Sequence, residues 1–92
     1  MYDDYSKCTK KEALEYVKKQ GYLLRYLSLE FKDDYDVVLE AVRNKGLILK
    51  YASKRLRTDK TIAIEAIKQD KRAYDFIVPE LRQDPEIQEL VK

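Results

Sequence analysis

Apolar and polar positions along this chain fall into the same order every 25 residues. EALEYV (12–17), VVLEAV (37–42) and IAIEAI (62–67) superimpose without a gap. Downstream of them the match continues: Gly21, Gly46 and Lys71; Leu24, Leu49 and Tyr74; Tyr26, Tyr51 and Phe76; Phe31, Leu56 and Leu81. Lys32, Arg57 and Arg82 keep a cation at one position, and Asp34, Asp59 and Asp84 keep an acid, with Thr9 at the same position one repeat earlier. Three copies in register without an insertion constitute a tandem repeat.

Each copy reads as two helices. Thr9, Asp34, Asp59 and Asp84 stand where an N-cap belongs, because a short oxygen-bearing side chain can accept from the free amides of a first turn. TKKE (9–12) has the form of a capping box, and Pro85 sits at a first helical position, where a missing N–H costs nothing. The spacing predicts long helices over about 10–20, 35–45 and 60–70. Gly21 and Gly46 are expected to end them in a left-handed turn, with Lys71 a poorer stop. A second, shorter helix is expected over about 22–29, 47–54 and 72–78, loosening at Pro79 and, by analogy, near Leu29 and Lys54. Phe31, Leu56 and Leu81 would then return a short connector to the core. No segment alternates apolar and polar residues long enough to predict a strand.

The width of the apolar face explains why copies associate. Val37, Val38, Leu39, Ala41 and Val42 cover more than one helical stripe, so that helix must meet neighbours on two sides. Ala41 and Ala66 permit close approach. One helix pair cannot bury such a face alone, whereas stacked pairs share a core. PEIQELVK (85–92) starts a fourth long helix with one apolar edge, Ile87, Leu90 and Val91, as an end cap requires. The expectation is an all-α fold, a short α-solenoid of about seven helices in one domain over 1–92. It has repeats at about 10–34, 35–59 and 60–84, an N-terminal tail over 1–8 and a C-terminal cap helix over 85–92.

Composition narrows the class without deciding it. In 92 residues, 45% hydrophobic and 39% charged, two Gly and two Pro favour helix over turn-rich β structure. Nineteen cations against seventeen acids leave a net charge of +2, less lopsided than a dedicated nucleic-acid binder. A single cysteine, Cys8, cannot form an internal disulfide. No apolar run approaches the roughly 18–20 residues of a membrane span, and no apolar leader follows Met1. A soluble cytoplasmic protein without a membrane partner is the expectation.

The stretch DDYDVVLEAVRNKGLILKYASKRLRTDKTIAIEAIKQD (33–70) resembles the short tandem helical repeats of the domain of unknown function 4116 family. The capping Asp34 and Asp59, the VVLEAV block, Gly46, and LKYASKRLR leading to the next Asp carry the resemblance. It is close over 33–70 and looser over 10–32 and 71–84, where Lys71 and Pro79 depart from the pattern. The resemblance implies a helical-repeat architecture of the kind found in arrays within bacterial, protist or viral proteins. It implies no activity, and there are no family functional residues to carry over.

The side chains offer little catalytic chemistry. There is no histidine, no Cys/His pairing and no glycine-rich phosphate loop. In KDDYD (32–36), Asp33 or Asp36 could join Asp34 on a hard cation, but acids at a helix start near its positive dipole end are the simpler account. Glu15, Glu40 and Glu65 recur three residues before Lys18, Arg43 and Lys68, as intrahelical ion pairs would. Cys8 beside a cap is either a thiolate-prone site or incidental. Tyr16, Tyr26 and Tyr51 occupy core positions, leaving Tyr2, Tyr5, Tyr22 and Tyr35 as surface aromatics. No enzyme activity, cofactor, metal or small-molecule substrate is expected.

Cations remain. Lys32, Arg57 and Arg82 should line up as a stripe, whereas Lys50, Lys54 and Arg55 form a patch peculiar to the middle copy. That patch is either a solvated face near a helix C-terminus or a binding site. Specificity should lie where copies differ while staying exposed: Tyr22/Leu47/Arg72, Gln20/Lys45/Asp70 and Arg25/Lys50/Asp75, nine side chains expected to form one surface. The candidate partner-binding residues are therefore Tyr22, Lys45, Leu47, Lys50, Lys54, Arg55, Arg57 and Arg72. The function expected is a non-enzymatic protein-interaction module for a partner with an acidic surface; the alternative is a nucleic-acid-binding protein that uses the basic stripe.

Overall fold

The computed structural model describes residues 5–92, and all regular elements among them are helices. After a 3-10 turn at Tyr5–Lys7, one unit occurs three times: a ten-residue α-helix, a six-residue 3-10 helix and a four-residue α-helix. The α-helices are α1 Lys10–Lys19, α2 Leu29–Lys32, α3 Tyr35–Asn44, α4 Lys54–Arg57, α5 Lys60–Gln69 and α6 Pro79–Arg82. The 3-10 segments are Gly21–Tyr26, Gly46–Tyr51 and Lys71–Phe76, and α7 (Pro85–Leu90) follows the last unit.

Side-chain caps start the long helices. Thr9 accepts from the Glu12 amide at 3.2 Å while the Glu12 carboxylate accepts from the Thr9 amide at 2.9 Å, which closes the capping box. Asp34, Asp59 and Asp84 accept from the amides of Val37, Ile62 and Ile87 at 3.1, 3.0 and 3.3 Å.

The second half of each unit departs from the single short helix expected. In a 3-10 helix residues three apart eclipse one another. Gly21, Leu24 and Leu27 are accordingly buried in a line, as are Gly46, Leu49 and Ala52 in the next copy. Leu27, Ala52 and Ile77 then take extended backbone, and a separate α-helix begins two residues later. Pro79 therefore opens α6 at its first position, and Leu29 and Lys54 open α2 and α4. The connector is itself helical, and it does return to the core: Phe31 and Leu56 are buried and the partly buried Leu81 packs against the core cluster.

The glycines are required for a reason other than the one expected. No residue described has positive φ, so Gly21 and Gly46 do not form left-handed stops. A Cβ on Gly21 would lie 2.6 Å from the Ala41 carbonyl oxygen, and one on Gly46 would press still closer on that of Ala66. Real Cβ atoms do not approach backbone oxygen so closely, so glycine here admits the next copy's helix. That helix also completes the turn's hydrogen bonds: Gly21 N donates to Asn44 Oδ1 at 2.7 Å, and Gly46 N to Gln69 Oε1 at 2.5 Å. Asn44 Nδ2 donates onward to the Lys18 carbonyl at 3.1 Å.

Helix α3 packs against both α1 and α5, as its wide apolar face requires. Val37, Val38, Ala41 and Val42 are all fully buried, together with Ile62, Ala63, Ala66 and Ile67 on α5. Outer copies relax this pattern. Glu12 stands where Val37 does and is exposed, and Gln88 stands where Val38 does and is exposed. Tyr16, in the place of Ala41, is covered by Tyr5 with ring centroids 4.9 Å apart and edges to faces. Tyr5 is thus half-buried rather than a surface aromatic, and Tyr2 lies outside the described residues. Tyr26, expected in the core, is 49% exposed at the last position of its 3-10 segment, on the line that runs from the buried Leu23.

Ion pairs tie successive copies at their helix starts. Lys10 reaches Asp36 at 3.0 Å and Asp34 at 3.2 Å, and Lys60 reaches Asp84 at 3.0 Å and Glu86 at 3.3 Å. Arg43 lies 3.5 Å from Glu40, as expected within α3, and also 3.5 Å from Glu65 on α5. Glu15–Lys18 and Glu65–Lys68 do not pair among the described residues, so the recurrent acid serves a contact between copies as much as one within a helix.

Two predictions follow from these contacts. Gly46→Ala should lower unfolding free energy by about 1–3 kcal/mol by forcing two backbones apart, and Gly46→Val by more, whereas Lys71→Gly should change little. Asp59→Ala should cost about 1 kcal/mol through the lost cap; chemical denaturation followed by circular dichroism measures all four.

The second prediction concerns pH. Lys60, ahead of the Ile87 and Glu86 amides, holds the Asp84 carboxyl below the ordinary carboxylate range. The Ser53 hydroxyl and then the Arg55 guanidinium do the same for Asp33. A carboxyl with a depressed folded-state pKa stabilises the fold above its unfolded value of about 4, and loses that contribution as pH falls through the folded value. Lys10 and Lys60 are shifted upward by their carboxylates, so their contribution is complete below about 10.4 and lost above it. The melting temperature should be flat near neutrality and fall on both sides, and Asp84→Asn should shallow the acid limb.

Candidate interaction surface

The three 3-10 segments pack side by side, first on second and second on third. Residues three apart in each share an outward line: Tyr22 with Arg25, Leu47 with Lys50, and Arg72 with Asp75. Tyr22, Arg25, Lys50, Arg72 and Asp75 are exposed and Leu47 is half-buried. Gln20 and Lys45 are exposed and Asp70 is half-buried at the preceding caps. The structure therefore brings Tyr22, Lys45, Leu47, Lys50 and Arg72 to the same ridge.

Charge is strongly divided about this ridge. Residues 18–26, 43–51 and 68–76, the ends of the long helices with their 3-10 segments, hold nine of the nineteen Lys and Arg but two of the seventeen Asp and Glu. Helices α1 and α3 run parallel, since Lys10 meets Asp34 at their starts and Asn44 meets Lys18 at their ends. Cations gather at C-terminal dipole ends and acids serve as caps at the starts, so parallel helices sort the charge to opposite edges.

Several of these cations have no acid to neutralise them. Arg25, Lys45 and Lys50 make no ion pair among the described residues. The Arg25 guanidinium lies instead 5.1 Å from the Tyr26 ring centroid and 5.5 Å from that of Tyr51. Lys50 lies 5.1 Å from the Tyr51 centroid and 6.0 Å from that of Phe76. Each cation thus bridges the ring of its own copy to that of the next, at about 0.5–1 kcal/mol per exposed contact. In the third copy Asp75 takes the cation's place. Arg72 is held by its neighbour Asp70 through two contacts of 2.8 and 3.1 Å, which lowers the Asp70 pKa.

Lys54, Arg55 and Arg57 do not belong to the ridge. They form α4, so Lys54 stands in a first turn and not near a helix C-terminus as expected. Arg55 links the connectors of two copies: its Nε donates to Asp33 Oδ1 at 2.9 Å and its NH2 to the Asp33 carbonyl at 2.6 Å. Ser53 Oγ donates to the same carboxylate at 2.6 Å. Arg57 and Arg82 are half-buried, with Nε shielded and unpartnered, and Lys32 is half-buried beside them in the repeat pattern. Packing along their aliphatic stems takes these three out of an exposed stripe. Arg82 continues over the Tyr74 ring at 5.3 Å and onto the Asp75 carbonyl at 3.1 Å.

Other candidate chemistry is committed elsewhere. Asp33 is engaged by Arg55, and Asp34 and Asp36 by Lys10. Among the described residues no three His, Cys, Asp or Glu side chains surround a common point. The Cys8 thiol is half-buried, and burial pushes its pKa up, away from thiolate character. An open hollow of about 330 Å³ beside α5 and α7 is lined by Lys60, Ile64, Glu65, Lys68 and Glu86, and its acids are paired with Lys60 and Arg43. No helix among the described residues is long and apolar enough to cross a membrane.

No curated protein matches the chain, and no solved structure does. The family model described as "Domain of unknown function (DUF4116)" matches residues 10–57 and again 34–82, two overlapping spans offset by about one repeat. With the capped helices, the glycine contacts and the matched spans covering most of its length, the chain belongs to the DUF4116 family.

Proposed function

We propose that this chain is a non-enzymatic protein-interaction module of the cytoplasm. Its three units, each a long helix followed by a 3-10 segment and a short α-helix, stack as a short α-solenoid closed by the C-terminal helix Pro85–Leu90, and its 3-10 ridge receives a partner with an acidic surface. One observation carries the reading. Nine cations and two acids gather at one edge, and among the described residues Arg25, Lys45 and Lys50 make no ion pair, with Arg25 and Lys50 set against the partly exposed rings of Tyr26 and Tyr51. Aromatic anchors within a cationic rim suit recognition of a partner, with the charges speeding encounter. Repeats supply an extended surface on which positions free of packing duty vary between copies.

The nucleic-acid alternative has one observation in its favour, the alternation of rings and cations from copy to copy, which resembles a stacking platform. Asp70 and Asp75 interrupt it in the third copy.

Titration with an acidic poly-glutamate peptide and with a single-stranded oligonucleotide, each at rising salt, separates the two. The peptide should bind, and Lys45→Glu with Lys50→Glu should weaken it about tenfold while helical content stays unchanged. Lys54→Glu, on the connector, should have little effect. Micromolar oligonucleotide affinity with a steep salt slope, and no peptide binding, would replace this proposal with the alternative.

A further inference from the structure

The outward line 25/50/75 is the most informative row of the ridge, because it changes sign along the stack: Arg25, Lys50, Asp75. Asp75 is exposed, and its side chain makes no ion pair among the described residues; the contact from Arg82 goes to its backbone carbonyl. The row before it agrees, since Tyr22 and Leu47 are uncharged and Arg72 is neutralised by Asp70. A uniform polyanion laid along the three copies would meet attraction at two and repulsion at the third. A partner whose own charges change sign once, from acid at the first two copies to base at the third, would be satisfied throughout.

Spacing narrows the partner further. Arg25 and Lys50 flank one ring, at 5.5 and 5.1 Å from the Tyr51 centroid, so their charged ends stand no more than about 11 Å apart, consistent with neighbouring helices at about 8–10 Å. A polyproline II helix has three residues per turn and rises about 3.1 Å per residue, so every third side chain projects on one face about 9 Å from the last. An α-helix sets neighbouring side chains of one face about 5–6 Å apart and meets a spacing of about 10 Å only at every seventh residue, so a polyproline II segment reaches three copies with about half as many residues. Aromatic-lined surfaces are the usual seats of polyproline segments, and here Tyr26, Tyr51 and Phe76 stand beside the charged row while Tyr22 and Leu47 precede it.

We propose that the element seated on this ridge is an extended, polyproline-like segment of a partner protein, bearing acid, acid and base at every third residue, opposite Arg25, Lys50 and Asp75. The proposal rests on the ridge being the binding surface for an acidic partner, and it adds conformation and charge order. It also gives the third copy a role: Asp75 fixes the order in which the partner's charges are read, through the repulsive element that specificity requires.

The test uses the full chain and the peptides Glu-Pro-Pro-Glu-Pro-Pro-Lys, its reverse, Glu-Pro-Pro-Glu-Pro-Pro-Glu, a scrambled peptide of the first composition, and a thymidine oligonucleotide. Binding is followed by NMR shift titration at low salt. One of the two ordered mixed-charge peptides should bind about fivefold more tightly than the all-acidic and scrambled peptides, the ratio expected of one exposed charge contact made or reversed. Asp75→Lys should invert the preference in favour of the all-acidic peptide, with unchanged circular dichroism. Shifts should map to residues 20–26, 45–51 and 70–76. Equal binding of all the peptides, abolished by Lys50→Glu, would overturn the proposed order and leave the acidic-partner surface standing. Absence of binding by every peptide would overturn both, and oligonucleotide binding tighter than any peptide's would assign the ridge to nucleic acid.

Discussion

Between successive copies a backbone carbonyl presses against a glycine. Ala41 O meets Gly21 and Ala66 O meets Gly46, each at a distance that leaves no room for a Cβ. That approach sets how near α3 lies to the first 3-10 segment, and α5 to the second. It brings the Asn44 and Gln69 side chains within reach of the glycine amides, so the contact is hydrogen-bonded as well as tight. Small residues at 41 and 66 are then compulsory, because a larger side chain on the facing turn would push the helix away. The exposed Lys71 occupies the third glycine position, and Val91, just past the end of α7, stands where Ala41 and Ala66 do. The constraint therefore relaxes at the last unit.

Parallel long helices follow from this contact, and charge segregation follows from parallel helices. Each helix presents free amides at its start and free carbonyls at its end. Acids at the starts cap amides and also receive Lys10 and Lys60 from the preceding copy, so they are used twice. Cations at the ends have fewer obligations. Arg43 crosses to Glu65, but Lys45 does not pair among the described residues, and Arg25 and Lys50 rest on rings. One edge of the molecule is thus closed by salt bridges while the other keeps its charge available. A chain with a net charge of only +2 can in this way carry a strongly basic edge.

Much of the architecture was legible because it is periodic. The long helices, their caps and the return of Phe31 and Leu56 to the core follow from spacing that local chemistry enforces. The 3-10 segments were harder to see, because Gly-x-x-Leu-x-x-Leu (21–27) has a three-residue period that a search at 3.6 residues blurs into a short α-helix. That misreading placed Tyr26 inside, whereas it is exposed at the end of its 3-10 segment. The duty of the glycines was hidden for another reason: it depends on Ala41 and Ala66, twenty residues away in sequence, and no local rule reports such a contact. Asn44 and Gln69 went unnoticed as turn partners, although a carboxamide at one repeat position in two copies was the available signal. Arg55 looked free in sequence because Asp33, its partner, belongs to the previous copy.

The same logic separates the residues that can carry recognition from those that cannot. In each 3-10 segment one line of side chains fills the core, as Leu24 and Leu49 do, and its identity is fixed by packing. Another line meets the neighbouring segment and tolerates aromatics, as at Tyr26, Tyr51 and Phe76. The remaining line faces outward and holds Tyr22 and Arg25, Leu47 and Lys50, Arg72 and Asp75, with Arg25 and Lys50 resting on the rings beside them. On that line the three copies do not agree, being Tyr22, Leu47 and Arg72 in one row and Arg25, Lys50 and Asp75 in the other, although the core positions beside it are nearly invariant in character. Packing accounts for the sameness of the first line but places no demand on the last, so stability leaves that line free to vary in sign and shape. A surface of this kind is where a repeat protein can acquire a partner without disturbing its fold.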